Sequence, residues 1–281
     1  MSARTLFLTA CAMLAFAGNS LLCRLALKTS QIDPATFTSL RLLAGALMLA
    51  MLLHLRRGAT PMAGSWRGAA ALFTYAAAFS FAYVSLDAGA GALLLFGAVQ
   101  ISMLLWGWHQ GERPGPLSLA GLLLAFAGLL ILLLPGANAP PLAGALLMLI
   151  AGIAWGVYSL LGRSAGDALA ATTGNFVRSV PMAALLSLAL LHSTTWDMTG
   201  VLYALASGAL ASGLGYAIWY TAITQLKAIQ AATVQLSVPI ITTLAGALLL
   251  GEALSLRLGL SSLAVLGGIA LVLMTKQRAK A

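Results

Sequence analysis

No lysine, arginine, aspartate or glutamate occurs between residues 114 and 162, a stretch of 49 residues. A water-soluble fold devotes about a quarter of its residues to charge, so a segment this long cannot belong to one. A helical membrane crossing takes about 20 residues. The stretch is too long for a single crossing, and Pro135, Gly136, Asn138, Pro140 and Pro141 break it into two. The rest of the chain repeats the pattern, since 61% of the 281 residues are apolar and 7% are charged. With turn residues and charges as punctuation, the sequence predicts ten spans, roughly 5–27, 36–55, 67–86, 89–108, 116–134, 141–162, 170–191, 199–224, 228–250 and 257–275. They must be helices, because the alternation of a membrane barrel is absent and backbone in lipid has to satisfy its own hydrogen bonds. Soluble and disordered classes are excluded, and the lipid bilayer is the first partner implied.

The few charges orient the chain. The 15 Lys+Arg outnumber the 6 Asp+Glu for a net charge of +9. These cations gather in short loops between apolar runs, so the positive-inside rule explains them and no nucleic-acid partner is implied. With a cytoplasmic N-terminus, Arg4, Arg56, Arg57, Arg67, Arg113, Arg163, Lys227, Lys276, Arg278 and Lys280 fall inside, whereas Arg24, Lys28 and Arg257 fall outside. The split places both termini in the cytoplasm, and the expected location is a bacterial-type inner (plasma) membrane. The first twenty residues imitate a signal peptide, with Arg4 ahead of an apolar run and small residues near Ala17-Gly18. The apolar pattern nevertheless continues past any cleavage point and has a counterpart later in the chain. Cys11 and Cys23 lie about 18 Å apart along one helix and cannot pair.

An internal repeat strengthens the count. Ser20-Leu21-Leu22-Cys23-Arg24 matches Ser159-Leu160-Leu161-Gly162-Arg163, Arg41 matches Arg178, and Tyr83 matches Tyr220. Gly111-Glu112 recurs as Gly251-Glu252, each followed sixteen residues after the Glu by a glycine, Gly128 or Gly268. Two units follow, residues 1–138 and 139–281, of five spans each. Because five is odd, the second enters the membrane from the opposite face, an inverted repeat. The expected fold is an all-α membrane protein of ten transmembrane helices in two inverted-topology five-helix repeats.

These residues resemble the EamA family of the drug/metabolite transporter superfamily. The likeness covers essentially the whole chain and is clearest from Tyr220-Thr221-Ala222 through Ala228 and Pro239 to Gly251-Glu252-Ala253. The first half departs from it, with Val99 where the second half has Pro239. Within the superfamily the chain looks most like the YddG-type amino-acid exporters. The resemblance implies a carrier of small metabolites in which the first four helices of each half surround a central cavity and the fifth and tenth sit at the side.

The residues themselves admit little other chemistry. No Gly-Lys pair offers a phosphate-cradling loop, so neither an ATPase nor an ATPase subunit is implied. The three histidines are scattered, and the acids lie in loops or at span ends. His109 and Glu112 have ligand-like i, i+3 spacing, yet read more simply as interfacial residues. No enzyme activity, metal or cofactor is expected. The same lack of a deep acid argues against a proton relay.

Rings and amides mark a cavity. Tyr75, Phe79 and Tyr83 share one face of the third span, Tyr216 and Tyr220 repeat this on the eighth, and Trp155 and Tyr158 share a face of the sixth. Asn19, Gln100, Asn175 and Gln235 are amides at membrane depth. All of these except Tyr220 are candidate substrate-binding residues, and each also has a reading as helix packing or interhelical glue. Arg41 and Arg178 are either carboxylate contacts or structural, snorkelling or capping backbone carbonyls; the inverted repeat prevents both from meeting one ligand. Pro181 and Pro239 are candidate hinges or static kinks. Gly152-x-x-x-Gly156 and the run Ser207–Gly213 read as packing. The expected function is export of small zwitterions, aromatic and other neutral amino acids, by alternating access around an uncharged cavity; a monomer is compatible with this, and the sequence leaves the oligomeric state open. Export of flat organic cations is the alternative within transport, and a membrane scaffold the alternative outside it.

Overall fold

The computed structural model describes residues 2–56, 61–111, 115–136, 139–162, 165–226 and 228–278, and every regular element among them is helical. In chain order these are α1 (Ala3–Thr29), α2 (Pro34–Leu55), α3 (Trp66–Tyr83), α4 (Ala88–His109), α5 (Pro116–Leu133), α6 (Leu142–Gly162) and α7 (Ala168–Ala189). A short 3-10 turn, Leu191–Ser193, leads to α8 (Met198–Ala206), a π-helical stretch (Ser207–Leu214), α9 (Gly215–Ile223), α10 (Ala228–Gln235), α11 (Ser237–Leu250) and α12 (Leu256–Arg278). Among the described residues, eight helical runs are long and apolar enough to cross a membrane. The others of that length, α3 and α7 with 18 and 22 residues, carry more polar positions, several of which face inward. Thr172, Thr173, Asn175 and Ser179 of α7 are all buried. Arg57, Glu112, Arg113, Asn138, Arg163, Lys227 and Lys280 lie outside the described residues.

Three of the acids sit at span ends because they start helices. Asp33 accepts hydrogen bonds from the amides of Ala35 and Thr36, Asp167 from Leu169 and Ala170, and Asp197 from Gly200. Each satisfies amides that the first helical turn leaves unpaired, beside the positive end of the helix dipole. The start of α4 differs. Asp87 occupies its cap position but makes no capping bond, and the Ala88 amide donates instead to Glu252 Oε2 at 2.8 Å.

Two spans depart from a plain helix. The span expected over 228–250 is broken at Leu236, because Pro239 has no N–H for the carbonyl of Gln235 and its ring crowds that carbonyl. Ser237 Oγ donates to the Val234 carbonyl at 2.6 Å across the break. The matching helix α4, with Val99 in place of the proline, is continuous from Ala88 to His109. The span expected over 199–224 winds as a π-helix from Ser207 to Leu214. There Gly208 packs so closely on α2 that a Cβ would overlap the Arg41 carbonyl oxygen.

Most packing joins the first half of the chain to the second. α3 lies on α6 and α7, α2 on α7 and the π stretch, α4 on α6 and α11, and α1 on α9 and α11. These contacts are symmetric in the way a duplicated unit requires. Gly152 and Gly156 seat α6 against α4, facing Ala98 and Ser102. α5 packs chiefly on α12, and the pair leans on α4. Gly121 and Gly268 face one another there, each where a side chain would overlap the other's carbonyl oxygen. Outward positions are apolar, as lipid contact requires, with Leu123, Phe126, Leu260 and Leu263 all exposed. Arg4, Arg56 and Arg67 lie at the end of the molecule where α1 begins, hereafter the N-terminal face; Arg24, Lys28 and Arg257 lie at the opposite face. Arg257 reaches the carbonyls of Leu134 and Pro135 there. Cys11 and Cys23 are both free thiols.

Candidate functional site

Halfway along the helices, between the two halves, lies a narrow cavity with about 470 Å³ of empty space including its open mouth. α1 contributes Phe16, Asn19 and Ser20; α3 contributes Tyr75 and Phe79; α4 contributes Leu95, Phe96 and Val99. From the second half come Trp155 of α6, Ala211 and Ser212 of the π stretch, Tyr216 of α9 and Gln235 at the end of α10. No acid or histidine is among them.

The rings form one connected wall. Tyr75 lies 4.8 Å from Trp155, which stacks on Tyr216 at 5.3 Å and 24°. Tyr216 meets Phe16 at 5.8 Å, and Phe16 meets Trp219 at 5.9 Å. On the other side Tyr75 continues to Phe79 at 5.4 Å and Phe79 to Tyr83 at 4.7 Å. Helical spacing puts the three α3 rings on one stripe, but only the first two reach the cavity. Tyr83, fully buried one turn further on, donates to the Ala88 carbonyl at 3.3 Å.

A polar seam runs behind the rings. Asn19 Nδ2 and Arg41 Nη2 both donate to the Tyr75 hydroxyl, at 3.2 and 3.1 Å. Ser207 Oγ donates to Asn19 Oδ1 at 2.7 Å. Arg41 is 1% exposed and stands one ring behind the lining, its guanidinium 5.1 Å from the Tyr75 centroid and 4.9 Å from that of Phe79. It neither snorkels nor caps a carbonyl. Its repeat partner Arg178 does cap carbonyls: Nη1 donates to Ala63 and Gly174 at 2.8 and 3.0 Å.

The remaining candidates fall elsewhere. Tyr158 lies tilted against Trp155 at 5.2 Å but bonds Thr172, which in turn donates to the Tyr220 hydroxyl, tying α6, α7 and α9 together. Asn175 accepts the Ser65 amide at 2.8 Å at the N-terminal face. Gln100 lies just beyond Val99, outside the cavity lining. Pro181 sits inside an uninterrupted α7, whereas the break in the second half lies beside Gln235. Ser20 and Ser212 line the cavity and were not singled out from sequence. The i, i+4 spacing of Ser212 and Tyr216 was the available signal, hidden in a run of small residues that reads as packing.

One end of the cavity is sealed. Arg24 reaches Glu252 Oε1 and Asp87 Oδ1, both at 3.1 Å, and its Nη1 donates to the carbonyls of Tyr83 and Val84 at 3.0 and 3.2 Å. Lys28 adds a bond to the Leu250 carbonyl. The repeated Gly-Glu pair thereby has a physical meaning in the second half. Gly251, at φ +65°, ends α11 in a conformation that favours glycine, and Glu252 then turns back onto Arg24 and the start of α4. Toward the N-terminal face α4 loses its cover: it is buried almost throughout to Val99 and progressively exposed from Gln100 to Gln110.

Comparison with known proteins agrees with this architecture. The model of the EamA-like transporter family matches residues 3–134 and again residues 142–274. An uncharacterized protein of Pseudomonas aeruginosa is 66% identical over 271 residues, covering 96% of this chain and 94% of its own length. An uncharacterized transporter of Archaeoglobus fulgidus is 28% identical over 87% of this chain and 88% of itself. An Escherichia coli protein named "Probable amino-acid metabolite efflux pump" is 28% identical over 64% of this chain and 66% of itself. A crystal structure at 19% identity superposes with a TM-score of 0.67, covering 100% of both chains, a likeness of fold.

Proposed function

This chain belongs to the EamA-like transporter family, and from that premise we propose that it exports small metabolites, aromatic and other neutral amino acids, across a bacterial inner membrane. Membership makes it a membrane transporter of small molecules rather than an enzyme. The finer reading is carried by one observation, a cavity at mid-helix depth walled by aromatic rings and two amides and sealed at one end by the Arg24 cluster. Flat rings pack on such a wall, and amides hold polar ends without the desolvation cost of a charge. The name of the Escherichia coli relative points to the same solute class.

In this reading ten helices cross the membrane as two inverted repeats, residues 1–138 and 139–281, with both termini in the cytoplasm. The halves rock about the cavity, which opens alternately to either side. The ring wall and Asn19 and Gln235 contact the substrate, and the break before Pro239 is the principal hinge. A direct test is efflux of radiolabelled amino acids from liposomes containing the purified protein. Efflux of phenylalanine, tyrosine or leucine well above that of protein-free liposomes is expected; rates equal to protein-free liposomes across the panel would refute the amino-acid reading.

A further inference from the structure

Beside the cavity the polar chemistry is one-sided. Of the Arg41 guanidinium, Nη2 bonds the Tyr75 hydroxyl, while Nε and Nη1 are buried without a partner. The ring faces of Tyr75 and Phe79 answer its charge only in part. No carboxylate does so, because the ion pairs among the described residues are Arg24 with Asp87 and Glu252, and Arg56 with Asp167. A buried cation with two unmade hydrogen bonds is strongly unfavourable unless an anion visits it. The wall in front of it is also a donor. The Tyr75 hydroxyl accepts from both Arg41 and Asn19, which leaves its own O–H to donate. Ser212 Oγ is 1% exposed, lines the cavity and has no partner.

We propose that Arg41, Tyr75 and Ser212 form an anion subsite, so that the solutes carried are carboxylates bearing an apolar or aromatic body. The carboxylate accepts from Tyr75 and Ser212, with the Arg41 charge immediately behind them. The ammonium group of an amino acid meets only neutral groups in this cavity and is dispensable. An organic cation meets a like charge and no acid. This inference rests on the transport reading above and narrows its substrate class.

Three compounds with one ring separate the charges: phenylalanine has both, 3-phenylpropionate only the anion, phenethylamine only the cation. Each is tested on the purified full-length protein, as a competitor of labelled phenylalanine exchange in liposomes and as a shift of the thermal unfolding midpoint. We expect 3-phenylpropionate to act within about tenfold of the phenylalanine concentration, and phenethylamine to fail at about 100-fold excess, the pattern set by an unanswered buried charge. Arg41→Lys retains this order and Arg41→Gln loses it. Phenethylamine equalling the anion in either assay, or neither compound acting in either, overturns the subsite. Should labelled phenylalanine not exchange while 3-phenylpropionate still raises the midpoint, the amino-acid reading fails and the anion subsite stands. The wild-type series decides even where the Gln variant does not fold.

Discussion

Replacing Glu252 by Gln should loosen the sealed end of the cavity. Glu252 and Arg24 have side chains 6% and 9% exposed, and the pair closes at 3.1 Å. Removing one partner of a buried ion pair costs roughly 3–5 kcal/mol, because the other charge is left uncompensated. Here Arg24 keeps Asp87 and the carbonyls of Tyr83 and Val84. Asp87 is 54% exposed, so its pairing is weak, and the lower figure of about 3 kcal/mol applies. Gln preserves the volume and an acceptor for the Ala88 amide, so the helix start survives. At about 1.4 kcal/mol per tenfold, the balance between sealed and open forms shifts about 100-fold. Spin labels at Val84 and Ala253, both exposed on the segments that Arg24 joins, report it once Cys11 and Cys23 are replaced by Ala. The wild type should give one short distance and Glu252→Gln an additional longer one. A folded variant with an unchanged distance distribution would refute the assignment of this cluster as a closure.

Other expectations follow from the packing. Pro239→Ala restores an N–H for the Gln235 carbonyl and should join α10 to α11; amino-acid exchange should fall about tenfold while the unfolding midpoint rises, as for a removed hinge. Gly121→Leu drives a side chain into the Gly268 carbonyl and should destabilise the protein by about 2 kcal/mol or more, read as a lower unfolding midpoint with KM for exchange unchanged, since neither α5 nor α12 lines the cavity. An imposed pH gradient should change the export rate by less than about twofold, because no acid or histidine lines the cavity; strong acceleration in liposomes would contradict this.

The helix ends were legible because charge and proline punctuate a membrane chain where the physics requires it. Asp33 and Asp167 stand beside the loops they were read into, and each caps a helix. The depth of the cavity was also legible, since mid-span tyrosines and tryptophan have polar atoms that need partners. What stayed hidden is set by tertiary neighbours. Arg41 and Arg178 occupy matched places in the repeat, and counting along the helix assigns them one fate. The structure parts them, because α3 and the π stretch close over Arg41, whereas Arg178 finds the Ala63 and Gly174 carbonyls. Tyr83 shares the periodic face of Tyr75 and Phe79, yet lies beyond the cavity beneath the Arg24 cluster. Periodicity selects a face of a helix and says nothing of where along that face the neighbouring helices part.

The repeat matches landmarks but not mechanics. In the first half α3 and α4 are continuous, from Trp66 to Tyr83 and from Ala88 to His109. Their counterparts in the second half carry both irregularities, the π stretch and the break at Leu236. Each irregularity delivers side chains to the cavity, Ala211 and Ser212 from the first and Gln235 from the second. A π turn and a proline break both leave backbone groups without ordinary i→i−4 partners, so these segments can change hydrogen-bonding register at lower cost than a continuous helix. The cavity wall therefore combines a stiff side, built from α3 and α4, with a compliant side built from α8 to α11. Closure at the Arg24 cluster fastens the two together at one face: Glu252, at the end of the compliant side, caps α4 of the stiff one. If the halves rock as proposed, the compliant side is the moving part, and the residues that feel the motion first are Ser212, Tyr216 and Gln235.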